Sequence, residues 1–115
     1  MVEDDDDVRD LAVSVLREAG YNVLQAMNGG IALVLLEQDI PVDLLFTDIV
    51  MPGEPDGFEL AERAVEMRPD IRVLYTTGYA GPFQTPNTRP MLGRMLRKPY
   101  RPSELLAEVA GLVSA

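Results

Sequence analysis

Apolar residues along this chain follow two patterns, and each pattern predicts one kind of element. A spacing of three or four positions, which places side chains on one face of a helix, recurs in four stretches. These stretches are residues 7–19, 30–38, 58–68 and 102–113. Short continuous apolar runs of strand length lie at residues 21–26, 42–47, 71–76 and, more weakly, 91–97. Continuous runs of this kind are typical of strands that are covered on both faces.

The alternation of strands with single helices predicts an α/β fold, a doubly wound parallel sheet with helices on both faces. Two stretches depart from the pattern. If the first helix begins near Asp6, only residues 1–3 are left for the strand before it, whereas a strand usually has about five residues, so we expect a truncated first strand in a chain trimmed at its amino end. Pro82, Pro86 and Pro90 lie between the last two strands, so we expect a shortened or irregular fourth helix there.

Length and charge narrow the class of protein. The 115 residues support a single domain over residues 1–115. A formal net charge of −9 disfavours direct binding to nucleic acid, whose backbone is also negative. No apolar run approaches the roughly 20 residues of a membrane helix, and no basic-then-apolar leader opens the chain. We therefore expect no membrane insertion and a cytoplasmic domain.

The residue types that are absent restrict the chemistry. The chain contains neither Cys nor His, which excludes disulfides, thiol nucleophiles, Ser-His relays and imidazole bases. The absence of Cys also fits a reducing compartment. Nine of the ten cationic residues are Arg, which leaves Lys98 as the single Lys. Any chemistry in this domain must use carboxylates, hydroxyls and amines.

Polar residues follow the predicted strands at the points where the strands end. Three of them are acids, with Glu3 and Asp4 after the first strand and Asp48 after the third. Because ligands bind at the carboxyl ends of parallel strands, we expect these acids to converge. Three neighbouring carboxylates repel one another unless a cation joins them, and Mg²⁺ accepts such partial cages of oxygen ligands.

The remaining strand ends complete a predicted phosphoryl site. Thr77 and Gly78 follow the fourth strand, and Lys98 follows the last one. Hydroxyl, backbone N–H and ammonium groups stabilise phosphoryl oxygens, so this set suits phosphoryl transfer. Asp48 is the candidate nucleophile, because it ends the most apolar strand and a carboxylate can form an aspartyl phosphate.

With these residues placed, the sequence resembles the receiver domain of bacterial two-component response regulators over essentially its whole length. The matching stretches are residues 2–5 (VEDD), 8–9 (VR), 44–52 (LLFTDIVMP), 56–60 (DGFEL), 73–79 (VLYTTGY) and 98–100 (KPY). The subtype is similar to receivers of hybrid sensor histidine kinases, on residues 47–53 and 76–80. The resemblance implies a flavodoxin-like, five-stranded parallel sheet of order 2-1-3-4-5.

The resemblance also implies a role for each residue at the strand ends. Asp48 matches the phosphoacceptor of the family. Its metal is Mg²⁺, with Mn²⁺ as an alternative, and the implied ligands are Glu3, Asp4, Asp48 and the carbonyl of Val50. The implied phosphate-binding residues are Val50, Thr77, Gly78 and Lys98. Lys98 would also precede a cis peptide bond to Pro99.

The family function would be a phosphorelay step. A sensor histidine kinase or a histidine phosphotransfer protein would donate the phosphoryl group, and an output partner not identified by the sequence would read a switched surface. Dimerisation is left open. The domain would assist its own phosphorylation and dephosphorylation without being an enzyme that acts on external substrates.

Departures from the family pattern keep two alternatives open. Met95 stands where many receivers have a switching aromatic residue, for which Tyr79 or Tyr100 would have to substitute. The truncated first strand and the altered fourth-helix region leave a degenerate receiver that binds proteins without phosphorylation as one alternative. The second is a small aspartyl-phosphate phosphatase, although such enzymes usually have an acid where this chain has Val50.

Overall fold

The computed structural model describes residues 1–51, 53–78 and 92–113. Its regular elements are, in chain order, α1 (Asp6–Glu18), α2 (Gly29–Glu37), β1 (Leu44–Asp48), α3 (Gly57–Met67), β2 (Arg72–Thr77), β3 (Arg94–Arg97) and α4 (Pro102–Val113). All four predicted helices are present, within one or two residues of the predicted bounds. The segment 81–90, where we expect an irregular fourth helix, lies outside the described residues.

Three of the helices begin at a capping side chain. Asp5, Asn28 and Asp56 each accept a hydrogen bond from the backbone N–H three residues later, which satisfies one of the free donors of the first turn. Asp6 and Asp7 lie in the first turn of α1, where their charge favours the positive end of the helix dipole. Local chemistry therefore sets where each of these helices starts.

The three regular strands of the described residues form a parallel sheet of order β1-β2-β3. In the register of this sheet, Asp48 lies opposite Thr76, and Thr77 lies opposite Arg97. The strands therefore end at nearly the same level. Residues that follow them, including Lys98, share one edge of the sheet, which is the predicted location of the site.

Residues 1–3, here called the N-terminal segment, and residues 21–26, here called the edge segment, join the sheet only through single bridges. Val2 pairs in parallel with Ala26 on one side and with Thr47 on the other. These bridges place the two segments in the order that the resemblance implies. The prediction of a regular strand over 21–26 is not confirmed, because the short N-terminal segment offers a pairing partner only near Ala26.

The core has two parts, one on each face of the sheet. On one face, buried residues of α2 and α3 pack against Leu45, Val73 and Tyr75. On the other, buried residues of α1 and α4 pack against Phe46, Leu74 and Leu96. Successive strand residues thus alternate between two apolar layers, which explains the continuous apolar runs in the sequence. The predicted arrangement, with helices on both faces, is confirmed.

The helices are all short relative to a bilayer. Within the described ranges, none has both the length and the apolar character that crossing a membrane requires.

Gly57 provides a test of how tightly α3 is packed beneath the site. A Cβ atom at this position would lie 2.2 Å from the carbonyl oxygen of Asp48 and 2.6 Å from the Cα of Ile49. We expect Gly57→Ala to lower the free energy of unfolding by about 2 kcal/mol or more, because rigid backbone must move. Urea denaturation measures this change.

Gly111 of α4 is the matched control. A Cβ there would meet only Arg94 Nη1, at 3.7 Å. Gly111→Ala should therefore raise the free energy of unfolding by up to about 1 kcal/mol, through helix propensity alone. Equal effects of the two substitutions would contradict the close contact of α3 with the end of β1.

Candidate functional site

Asp48 lies at the carboxyl end of β1, where backbone hydrogen bonds fix the chain on both sides. Its N–H donates to the carbonyl of Val2 at 3.0 Å, and the N–H of Ile49 donates to the carbonyl of Thr76 at 2.9 Å. The residue is only 5% exposed. Its carboxylate is therefore largely withdrawn from water, and nearby charges act on it strongly.

Two further carboxylates lie beside that of Asp48. The N-terminal segment places Glu3 in the interior, with its N–H donating to the carbonyl of Ala26 at 3.1 Å. Glu3 is fully buried, whereas Asp4 is exposed. One carboxylate oxygen from each of Glu3, Asp4 and Asp48 lies within 4.8 Å of the other two. The predicted convergence of the three acids is present in the structure.

Lys98 joins two of these acids. Its Nζ donates to Oδ2 of Asp48 at 2.9 Å and also to Oε1 of Glu3. The backbone N–H of Lys98 donates to the carbonyl of Thr77 at 2.9 Å, which ties this residue to the end of β2. The Lys98–Pro99 peptide bond is cis, as the resemblance implies. The single Lys of the chain therefore lies inside the acid cluster.

The site holds more negative charge than one ammonium group can balance. Burial raises the pKa of Glu3 to about 7, and the neighbouring Asp48 adds to this effect, while Lys98 opposes it. Burial acts to lower the pKa of Lys98, but its hydrogen bonds to Glu3 and Asp48 outweigh that effect and raise it. A cation added to the cluster would therefore relieve repulsion among the acids.

The donor set fits a hard divalent cation. Mg²⁺ prefers carboxylate and carbonyl oxygens, keeps several waters, and needs only one or two direct carboxylate ligands. Asp4 is open to solvent and lies in reach of the other two carboxylates, so an ion could enter from that side. Imidazole and thiolate ligands are excluded, since the sequence has neither His nor Cys.

The other predicted site residues lie at the same sheet edge. Thr77 is buried at the end of β2. Gly78 follows, and a Cβ atom added there would contact only Cδ of Lys98, at 3.8 Å. Val50 lies two residues beyond Asp48, with its side chain 70% exposed. Glu3, Asp4, Asp48 and Lys98 thus form one contacting cluster, which Thr77, Gly78 and Val50 border.

Arg9 is a positioning residue to which sequence reasoning gave no role. Its Nη1 donates to the carbonyl of Glu3 at 2.9 Å, and its Nη2 forms an ion pair with Asp6 at 2.6 Å. The side chain is only 12% exposed. Arg9 therefore fixes the turn that carries Glu3 and Asp4 to the first turn of α1. The available signal was its spacing of three residues from Asp6, which puts the two side chains on one helix face.

Tyr100 packs beneath the site. Its ring lies 5.9 Å from that of Phe46, centroid to centroid, and its buried hydroxyl has no hydrogen-bond partner among the described residues. Burial raises the pKa of Tyr100 to about 12, and the charge of Glu3 adds to the shift. The residue is therefore a neutral packing group. Tyr79, the other aromatic candidate for a switch, lies outside the described residues.

Comparisons with known proteins agree with this geometry. A family model for the response regulator receiver domain matches residues 1–110. The response regulator receiver protein CpdR of Brucella abortus is 40% identical over 116 residues, which cover 100% of this chain and 95% of that protein.

Solved structures show the same fold. A response regulator receiver protein from Sinorhizobium medicae superposes with a TM-score of 0.85 and 26% identity, over 99% of this chain and 91% of the other. The receiver domain of the hybrid histidine kinase CckA gives a TM-score of 0.82 and 33% identity, over 97% and 94% of the two chains. The flavodoxin-like receiver fold is thus shared across the sheet and its helices. On this evidence the chain belongs to the response regulator receiver domain family of two-component signalling.

Proposed function

We propose that Asp48 accepts a phosphoryl group from a phosphohistidine, with Mg²⁺ bound at the acid cluster. The observation that carries this proposal is the position of the Asp48 carboxylate, buried between two other acids and held by Lys98 at 2.9 Å. A carboxylate that is oriented by an ammonium group and surrounded by metal ligands suits in-line attack on phosphorus.

The transfer step conserves atoms and charge. A carboxylate oxygen of Asp48 forms a bond to phosphorus while the bond from phosphorus to the imidazole nitrogen breaks, and the imidazole leaves with the electron pair. Lys98 remains close enough to neutralise the phosphoryl oxygens, and Thr77 and Gly78 lie at the same edge to donate hydrogen bonds. Because these 115 residues contain no His, the phosphohistidine lies outside them, on a sensor histidine kinase or a histidine phosphotransfer protein.

The metal ligands are assigned as the resemblance to the receiver family implies. Asp4 and Asp48, with the carbonyl of Val50, would hold Mg²⁺ or Mn²⁺ directly. Glu3 is buried against Lys98 and is placed to act through a coordinated water. The ion would supply positive charge to the phosphoryl oxygens as the bond to the donor breaks.

Two exposed apolar side chains mark where the donor would dock. Leu11 lies in α1, which begins next to the acid cluster, and is 61% exposed; Val50 lies in the loop that follows β1 and is 70% exposed. A partner helix that packs on them would bring its phosphohistidine to Asp48. Val50 also supplies no carboxylate for hydrolysis of external esters, which favours a receiver over a phosphatase.

The first test is the mass of the intact protein after incubation with acetyl phosphate, with and without Mg²⁺. We expect the mass of one added phosphoryl group only when Mg²⁺ is present and Asp48 is intact. Asp48→Asn should abolish labelling. Asp70→Asn, at an exposed turn, should leave it unchanged. Labelling of the Asp48→Asn variant would disprove the assignment of the acceptor.

The charge balance of the cluster can be tested without any phosphodonor. Asp48→Asn should raise the free energy of unfolding of the metal-free protein by about 1 kcal/mol, because it removes one of three repelling carboxylates. Lys98 keeps Glu3 as a partner, so no cation is left unpaired. Thermal unfolding measures this change.

Mg²⁺ should favour the parent protein over the Asp48→Asn variant, whereas without metal the variant is the more stable of the two. At a hundred times its Kd it should stabilise the parent by about 2.7 kcal/mol and the Asp48→Asn variant less. A destabilised variant, together with a melting temperature of the parent that Mg²⁺ does not change, would show that the three carboxylates do not form a metal site.

The proposed docking surface should matter for a protein phosphodonor but not for a small-molecule one. Leu11→Ser should slow transfer from a phosphorylated histidine phosphotransfer protein by about tenfold, the loss expected when one leucine no longer packs at an interface. Labelling by acetyl phosphate should be unchanged, because this donor needs no protein contact. Met67→Ser, at the far end of α3, is the matched control. Equal slowing with both donors would place the effect of Leu11 in the chemistry and not in docking.

A further inference from the structure

The chain returns from the acid cluster to α3 through residues 53–56, here called the return segment. Its last residue, Asp56, caps α3, and the next residue, Gly57, packs on the end of β1 without room for a Cβ atom between them. The N–H of Gly57 donates to the carbonyl of Ile49 at 3.0 Å. A displacement of the return segment would therefore reach Asp48 and Ile49 through contacts of rigid backbone.

The first turn of α2 closes the other side of the return segment. Pro55 is buried, and a Cβ atom on Gly29 would lie 3.0 Å from Cγ of Pro55 and closer still to its carbonyl oxygen. Only a residue without a side chain allows this approach. At Gly30 the space is ordinary, because a Cβ there would lie 3.4 Å from Oδ1 of Asn28 and 4.0 Å from the carbonyl oxygen of Glu54.

The close approach is also electrostatically favourable. The cap residue of α2, Asn28, accepts a hydrogen bond from the N–H of Ile31, and no acidic side chain lies in the first turn of the helix. The carbonyl oxygens of Glu54 and Pro55 lie beside this turn, which is the positive end of the helix dipole. The start of α2 therefore attracts the return segment as well as limiting its position.

α2 is fixed at its other end, so it cannot easily move away from the return segment. The guanidinium of Arg68 donates to the carbonyl of Leu36 at 3.1 Å and to that of Gln38 at 2.7 Å. Ala32 and Leu36 are also buried in the core on this face of the sheet. A side chain added at Gly29 would therefore displace the return segment and not the helix.

We propose that Gly29 is a positioning residue for the acid cluster. Because it has no side chain, α2 begins in contact with Pro55, and the return segment in turn holds Gly57 against the end of β1. The backbone that carries Asp48 is thus fixed from the direction of α2 as well as by its neighbours in the sheet. This inference rests on the metal site of the proposed function, since Gly29 acts on the ion only through Asp48.

Small displacements of Asp48 are enough to be measured. A binding constellation must be held within about 0.5 Å of its productive geometry. Loss of a group that orients a metal ligand typically weakens metal binding by about 10- to 100-fold. We therefore expect substitution of Gly29 to change the affinity for the metal even when the protein remains folded.

The test measures the Kd for Mg²⁺ by isothermal titration calorimetry in the parent and three variants. Gly29→Ala should raise the Kd by about tenfold or more, whereas Gly30→Ala should leave it unchanged. Gly93→Ala is the control for destabilisation alone, because a Cβ there would lie 2.6 Å from the backbone carbonyl carbon of Val73, near the amino end of β2. It should lower the free energy of unfolding but keep the Kd of the parent.

A second measurement needs no metal. In the metal-free protein, Gly29→Ala should shift the backbone amide NMR resonances of Asp48 and Ile49 more than Gly30→Ala or Gly93→Ala does. A parent that binds no Mg²⁺ would contradict the proposed metal site, and these resonances would then decide the role of Gly29 by themselves.

Two results would overturn the proposal. One is a Gly29→Ala variant with the Kd of the parent and with unshifted resonances of Asp48 and Ile49. The other is a Gly29→Ala variant that fails to fold while Gly93→Ala folds. That result would make Gly29 a requirement of the fold as a whole and not of the position of the acid cluster.

Discussion

The ammonium group of Lys98, held between Glu3 and Asp48, is the interaction on which the site depends. It connects the N-terminal segment, the end of β1 and the end of β3, which are far apart in the chain but adjacent at the sheet edge. Burying charge costs several kcal/mol per group unless partners compensate for it, and here one cation faces two buried acids. The cluster is therefore stable enough to form but electrostatically incomplete. That combination leaves a place for a metal ion.

The sequence predicted the helices well because their signals are local. The capping residues Asp5, Asn28 and Asp56 set three helix starts without help from the rest of the fold. The acids and Lys98 were predicted as a cluster for a topological reason, since parallel strands bring their carboxyl ends together. The prediction of a regular strand over residues 21–26 was not confirmed. Pairing there depends on a neighbouring strand, and an apolar run cannot reveal how long its neighbour is.

The sequence also could not predict the contacts that side chains make with residues distant in the chain. The bond from Arg9 to the carbonyl of Glu3 depends on how the chain turns between the N-terminal segment and α1, and the spacing of three residues could have indicated only the contact of Arg9 with Asp6. The partners of Lys98 are a further case. The resemblance implied a lysine that pairs with a phosphoryl group, and the structure adds that this lysine contacts Glu3 and Asp48.

The N-terminal segment links the two ends of the sheet. Its carboxyl end carries Glu3 and Asp4 into the acid cluster, and its amino end donates a hydrogen bond to the carbonyl of Leu24 in the edge segment. The segment is held in the sheet by its backbone hydrogen bonds to Phe46, Asp48 and the edge segment, and by the bonds that Arg9 and Lys98 donate to Glu3. A metal site tolerates little displacement of its ligands, and a carboxylate on a weakly paired strand moves more than one on a fully paired strand. The geometry of the acids therefore depends on the pairing of the N-terminal segment within the sheet, so that a few backbone contacts limit the chemistry at the sheet edge.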